Sequence, residues 1–130
     1  MESGEPLIAQ KLTHLFASPI ANNYCQRKLY DLVSILSQEE QDFIFRTSSL
    51  TITWLGIRLI DGKWQWSING EMVEASFTNW ENNVMPNDPK KTCAVFDGWA
   101  NGVWRAVDCN QQYRSICKTG TNLFVDFVWL

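Results

Sequence analysis

Four cysteines, Cys25, Cys93, Cys109 and Cys117, constrain this chain more than any other feature. None of them is spaced as Cys-x-x-Cys, and the single histidine, His14, lies apart from all four. A zinc site wants closely spaced Cys and His ligands, so structural disulfides are the better reading. Four cysteines allow three pairings, and the spacing leaves all three open. Disulfides persist in oxidising compartments, which places the chain outside the cytosol.

The N-terminus sits awkwardly with that expectation. Met1-Glu2-Ser3-Gly4-Glu5-Pro6 is acidic and lacks the basic-then-apolar layout of a signal peptide. The expectation is therefore a piece of a longer secreted or membrane protein, or a chain whose true start is missing. No apolar run approaches the length of a membrane-spanning helix. The 130 residues suit one domain, and a hydrophobic content of 45% with seven Trp and seven Phe supports an aromatic core. A net charge of −3, with only Arg27-Lys28 and Lys90-Lys91 as adjacent basic pairs, argues against nucleic acid as a partner.

Periodicity divides the chain. Ser18-Pro19 is a plausible N-cap and first helical position, opening a helix to about 28 or 30 that carries Cys25. Leu32 to Ile35 reads as a short strand. Ser37-Gln38-Glu39-Glu40 is a capping box that starts a second helix to about Ser48. Ile52 to Leu59 suits a buried strand, Asp61-Gly62 a hairpin turn, and Lys63 to Ile68 the returning arm. Asn69-Gly70 marks another turn. Residues from about Phe77 to Lys91 form a long loop rich in Asn, Pro and charge, and long ordered loops tend to be functional. Cys93 to Phe96, Val103 to Val107 and Tyr113 to Lys118 read as three short antiparallel strands. The apolar residues 122–130 are too few to span a bilayer and read as an extra edge strand or docked tail.

Several tryptophan-anchored phrases then fall in a recognisable order. They are Trp54-Leu55-Gly56-Ile57, Trp64-Gln65-Trp66, Asn79-Trp80 and Gly102-Val103-Trp104, followed by Cys109. Together with two helices, short strands and one long loop, this resembles the C-type lectin-like domain, in places that of mannose-receptor type. The resemblance implies an α+β fold, with two helices flanking short antiparallel sheets, a long loop region and two disulfides. It divides the chain into a divergent N-terminal segment, 1–17, the domain proper, 18–119, and an apolar tail, 120–130. It also selects Cys25 with Cys117 and Cys93 with Cys109 as the disulfides. The family's aromatic first strand has no convincing counterpart in Leu7 to Phe16, which puts closure of the terminal sheet in doubt.

The family's work is recognition, and sugar-binding members hold a loop calcium. Its ligands come from a Glu-Pro-Asn or Gln-Pro-Asp motif, a later Glu near the third cysteine, and an Asn-Asp pair after the late tryptophan. Calcium wants six to eight hard oxygens. Here the corresponding stretches are Met85-Pro86-Asn87, Lys90-Lys91-Thr92 and Arg105-Ala106. A thioether is a poor calcium ligand and the cations would repel the ion, so only Asn87 survives of five side-chain ligands. The expectation is an extracellular, non-catalytic domain with no cofactor, binding a protein or glycan without calcium. The alternative is a calcium-dependent carbohydrate-binding lectin with a site remodelled from Glu81, Asn82, Asn83, Asp88 or Asp97.

The candidate ligand-binding residues are Asn87, Lys90, Lys91, Trp99, Asn101 and Arg105. A sharper version has Lys90, Lys91 and Arg105 binding an acidic ligand. Trp54, Trp64, Trp66, Trp80 and Trp104 read as core, and Trp99, beside Gly98, as the exposed tryptophan. Catalysis is disfavoured, because the lone histidine lies in the least organised segment and no carboxylate pair stands out among Asp61, Asp97 and Asp108. A decayed fragment without independent function, and a homo-oligomer, are both compatible with the sequence.

Overall fold

The computed structural model describes residues 15–27, 30–48 and 50–118, and the backbone of 128–129. Helices α1 (Ser18–Arg27) and α2 (Gln38–Ser48) are separated by the short strand β1 (Asp31–Leu32). Then follow β2 (Ile52–Ile60), β3 (Lys63–Ile68), β4 (Glu71–Glu74), β5 (Cys93–Asp97), β6 (Val103–Val107), β7 (Ile116–Lys118) and β8 (Val128–Trp129). They form a five-stranded sheet in the order β4-β3-β2-β5-β6 and a three-stranded sheet in the order β1-β7-β8. The strand pairs within both sheets are antiparallel.

Local chemistry accounts for the element boundaries. Ser37 Oγ accepts the Glu40 N–H at 3.2 Å, as a capping box requires, while Glu40 Oε1 accepts the N–H of Leu36 at 2.8 Å. The β2–β3 hairpin turns through Asp61 (φ 53°) and Gly62 (φ 79°), both left-handed as a two-residue turn demands. Asn69 and Gly70 repeat the device between β3 and β4. α2 buries Glu40, Gln41, Ile44 and Ser48, three of them polar. Each polar one has its partner: Gln41 Nε2 donates to Gly102 O at 2.8 Å, Ser48 Oγ to Ile44 O at 2.7 Å, and Glu40 accepts from Lys118.

Most of the aromatic content is core. Trp66 and Trp80 both stand edge-on to Trp104, with centroids 5.5 Å apart in each case, and Trp64 lies 4.7 Å from Trp80. Such pairs contribute about 0.5–1.5 kcal/mol beyond their area burial. A second cluster gathers Ala21, Leu32, Trp54 and Val95 around the disulfides. The bonds are Cys25–Cys117 and Cys93–Cys109.

The two sheets meet at β2. Its pairing with β5 shifts register between Trp54 and Arg58. Within that interval the Trp54 N–H donates to Arg114 O at 2.9 Å, and the Gly56 N–H to Val33 O at 2.8 Å. Gly56 is required there by space, since a Cβ would stand 2.6 Å from Leu32 O.

Two sequence expectations need correction, and one strand was not foreseen. The stretch Leu32 to Ile35 is not a strand throughout: β1 is Asp31–Leu32, and Val33 and Ile35 are buried in an irregular segment. Tyr113 to Lys118 is not one strand either, because Tyr113 and Arg114 make isolated bridges to Phe16 and Thr53 and only Ile116–Lys118 is regular. That strand joins β1 and β8 rather than β6. β4 was not expected, since all four of its residues are exposed and show no buried face.

Two expectations concern the chain ends. Phe16 and Tyr113 exchange both backbone bonds at 3.0 Å, while Leu7 to His14 lies outside the described residues. In the tail, Val128–Trp129 pairs with β7 as an edge strand, and residues 119–127 and 130 lie outside the description.

Candidate functional site

The segment between β4 and β5 is long but firmly held. Asn79 Nδ2 donates to Gly102 O at 3.0 Å, and Asn79 O accepts the Trp104 N–H at 2.9 Å. A 3-10 turn follows over Glu81–Asn83, with Asn82 and Asn83 at φ 59° and 55°. Asparagine tolerates that left-handed region better than most residues. Trp64 Nε1 then donates to Pro86 O at 2.9 Å, tying the middle of the loop to β3. Asp88 Oδ1 accepts the Lys90 N–H, and Asp88 O the Lys91 N–H, both at 2.9 Å.

This loop and β6 enclose an open groove of about 490 Å³. Asn87, Lys91 and Arg105 line it, joined by Glu81 and Asp88. Val84 and Met85 are exposed apolar side chains on the same loop. Of the six candidate residues, the fold thus brings Asn87, Lys91 and Arg105 together. Lys90 is exposed but does not line the groove. Trp99 is 67% exposed in the turn Gly98–Ala100 and lines a separate depression with Leu15, Ile52 and Tyr113. Asn101, exposed and left-handed at φ 59°, closes that turn and lines neither.

The charge of Arg105 is already matched. Its Nη2 lies 2.7 Å from Asp97 Oδ2, and Asp97 Oδ1 accepts the Trp99 N–H at 2.9 Å. Arg105 stands opposite Val95, and Asp97 opposite Val103, so the two are diagonal neighbours across β5 and β6. Beside that pair, the groove lining carries the carboxylates of Glu81 and Asp88 and the ammonium of Lys91. The sequence had singled out each of these residues. Their pairing was hidden because strand register cannot be read from composition.

Several of the donors near the groove are soft or already engaged. Met85 offers sulfur, Asp97 is committed to Arg105 and a backbone N–H, and Asp88 already accepts the Lys90 N–H. Among the described residues, no three His, Cys, Asp or Glu side chains are grouped together.

Against known proteins, residues 18–119 match the family model of the Lectin C-type domain. The chain belongs to the C-type lectin domain family. Mouse asialoglycoprotein receptor 1 is 31% identical over 105 residues, 76% of this chain and 36% of the receptor. The chain thus spans about a third of the length of such relatives. Among solved structures, the cow C-type carbohydrate-recognition domain of CD23, solved in the presence of a GlcNAc2Man3 oligosaccharide, is 26% identical. It aligns with a TM-score of 0.68 over 84% of each chain. A calcium-independent type II antifreeze protein shares the fold, with a TM-score of 0.71 at 24% identity, over 83% of this chain and 82% of its own.

Proposed function

We propose that this C-type lectin domain is an extracellular, non-catalytic recognition module that binds a protein or carbohydrate ligand without loop calcium. The long-loop groove is its binding surface. One observation carries the reading: Arg105-Ala106 stand where a calcium-binding relative would present its Asn-Asp pair, and the Arg105 guanidinium is paired with Asp97. Recruiting Asp97 to a cation would strip it from a guanidinium 2.7 Å away and bring two positive centres together. Two disulfides favour an oxidising, extracellular setting. Because Arg105 is paired with Asp97, and Glu81 and Asp88 outnumber Lys91, a neutral polar or apolar ligand fits the groove better than an acidic one.

Thermal unfolding of the oxidised protein, in millimolar calcium and in chelator, tests this reading. Saturating a site to about 100 times its Kd would add about 2.7 kcal/mol. At about 2.1 cal/mol/K of unfolding entropy per residue, a domain of this size shifts by about 4 °C per kcal/mol, or about 10 °C in all. The expected result is coincident curves. A calcium-dependent rise would favour the alternative, a site remodelled from Glu81, Asn82, Asn83, Asp88 or Asp97. Ligand capture that persists in chelator and in high salt fits a neutral ligand in this groove. Loss in high salt would point to an acidic ligand held by Lys90, Lys91 and Arg105.

A further inference from the structure

The five-stranded sheet has a second concavity, built from different elements. Ile57, Trp66 and Ile68 point into the main core. Side chains alternate along a strand, so Arg58 on β2 and Ser67 on β3 lie on the other face, with Met72 paired opposite Ser67. Between that face, helix α1 and Leu32 of β1 is a partly enclosed cavity of about 250 Å³. Gly56 opens it, because the close passage of Leu32 O forbids a side chain there and leaves bare backbone as the floor.

The lining is amphiphilic. Leu32, Ile60 and Met72 supply apolar surface, while Ser18, Asn22 and Ser67 supply hydroxyl and amide groups. Arg58 is the single charged side chain in the lining. It is exposed and makes no ion pair among the described residues. In its cross-strand row, Arg58 faces Gln65, and Gln65 faces Glu74, whose carboxylate is drawn toward Lys63 at 3.9 Å. A lone guanidinium beside an apolar cavity is a built receptor for one kind of group.

We infer that this cavity is a second binding site, which takes a small amphiphilic anion: a carboxylate carried on an apolar body. The planar fork of Arg58 suits a carboxylate bidentately. The apolar body lies against Leu32, Ile60 and Met72, and Ser18, Asn22 and Ser67 hydrogen-bond what remains polar. At about 30 Å³ for each water-sized group, the cavity admits roughly eight such groups, the size of a medium-chain acid. The site shares no lining residue with the long-loop groove, so either can fail without the other.

The test is titration of the intact oxidised chain with octanoate, read by amide chemical shifts and by calorimetry, with octan-1-ol as the neutral control. Shifts are expected at Asn22, Gly56, Arg58 and Ser67, with residues 81–91 unmoved. Octan-1-ol and the Arg58→Ala variant should each bind at least tenfold more weakly, and Arg58→Lys should fall between. Because Arg58 is exposed and unpaired, Arg58→Ala should unfold at the parent's temperature without ligand. Equal affinity for acid and alcohol, undiminished binding by Arg58→Ala, shifts confined to the long loop, or no binding would each overturn the assignment. A short peptide with a free apolar C-terminus, run in parallel, separates the two sources of such a carboxylate. Tighter binding by the peptide would overturn the small-molecule reading.

Discussion

Lys118, 1% exposed, ties the last core strand to the start of α2, and the energetics of that tie can be worked from its contacts. Its ammonium donates to Ser34 O at 3.0 Å, Ser34 Oγ at 3.2 Å and Glu40 Oε1 at 3.1 Å. Burial pushes its pKa below the ordinary 10.5, and the Glu40 carboxylate pulls it part of the way back. Glu40→Gln keeps the side chain's shape and an acceptor for the Leu36 N–H but removes the countercharge. Breaking a buried pair in this way costs about 3–5 kcal/mol. Lys118→Met strands the Glu40 carboxylate instead, partly relieved by the Leu36 N–H and the start of α2, so its loss belongs at the lower end of that range.

The double variant removes both charges and leaves mainly the Ser34 groups without a partner, about 1–3 kcal/mol. Urea unfolding of all four proteins at neutral pH, disulfides intact, should therefore show losses that are strongly non-additive, with a coupling of about 2 kcal/mol or more. pH supplies an independent arm. A cation whose folded pKa lies below its unfolded value leaves the native state binding fewer protons, so stability rises with pH across that window. Without Glu40 the folded value drops further and the window widens. The deficit of Glu40→Gln relative to the parent should thus narrow as pH is raised toward 10.5. Additive losses that do not change with pH would refute the reasoning.

Three further outcomes follow from the same structure. Replacing Cys93 and Cys109 by Ser opens a loop of sequence separation 16 and should cost about 3 kcal/mol in urea unfolding; opening Cys25–Cys117, at separation 92, should cost about 4–5 kcal/mol. Trp104→Phe removes the 2.9 Å bond from Nε1 to Gln41 Oε1 and should lose at least about 1–3 kcal/mol through the stranded amide, measured by the same assay. Trp99→Ala, at an exposed turn, should change stability by no more than about 0.5 kcal/mol, and a larger loss would mean that its ring packs.

What could be read in the sequence was whatever local chemistry decides. Ser37 and Glu40 announced α2, and Asp61-Gly62 announced the hairpin, because caps and left-handed turns depend on a few adjacent residues. The tryptophans of the family phrases are core, as expected, and Trp99, beside Gly98, is exposed as its turn implied. β4 escaped because Glu-Met-Val-Glu has no buried face to impose a period. Val33 to Ile35 misled because they are buried by neighbours from β2 and β7 rather than by a strand of their own. At the candidate groove the residue types were visible but not their alliances. Arg105 looked like a free cation until the register of β5 and β6 set it diagonally across from Asp97.

The bond between Cys25 and Cys117 also has a mechanical meaning. Cys25 lies on α1 and Cys117 on β7, so in chain order one stands before the five-stranded sheet and the other after it. Tension applied across those two points reaches a covalent shortcut before it reaches the five-stranded sheet. The residues between the two cysteines, a separation of 92, are then bypassed and carry no load. Under pull the domain is a short inextensible link, and the groove it presents keeps its shape while the chain on either side takes up the strain.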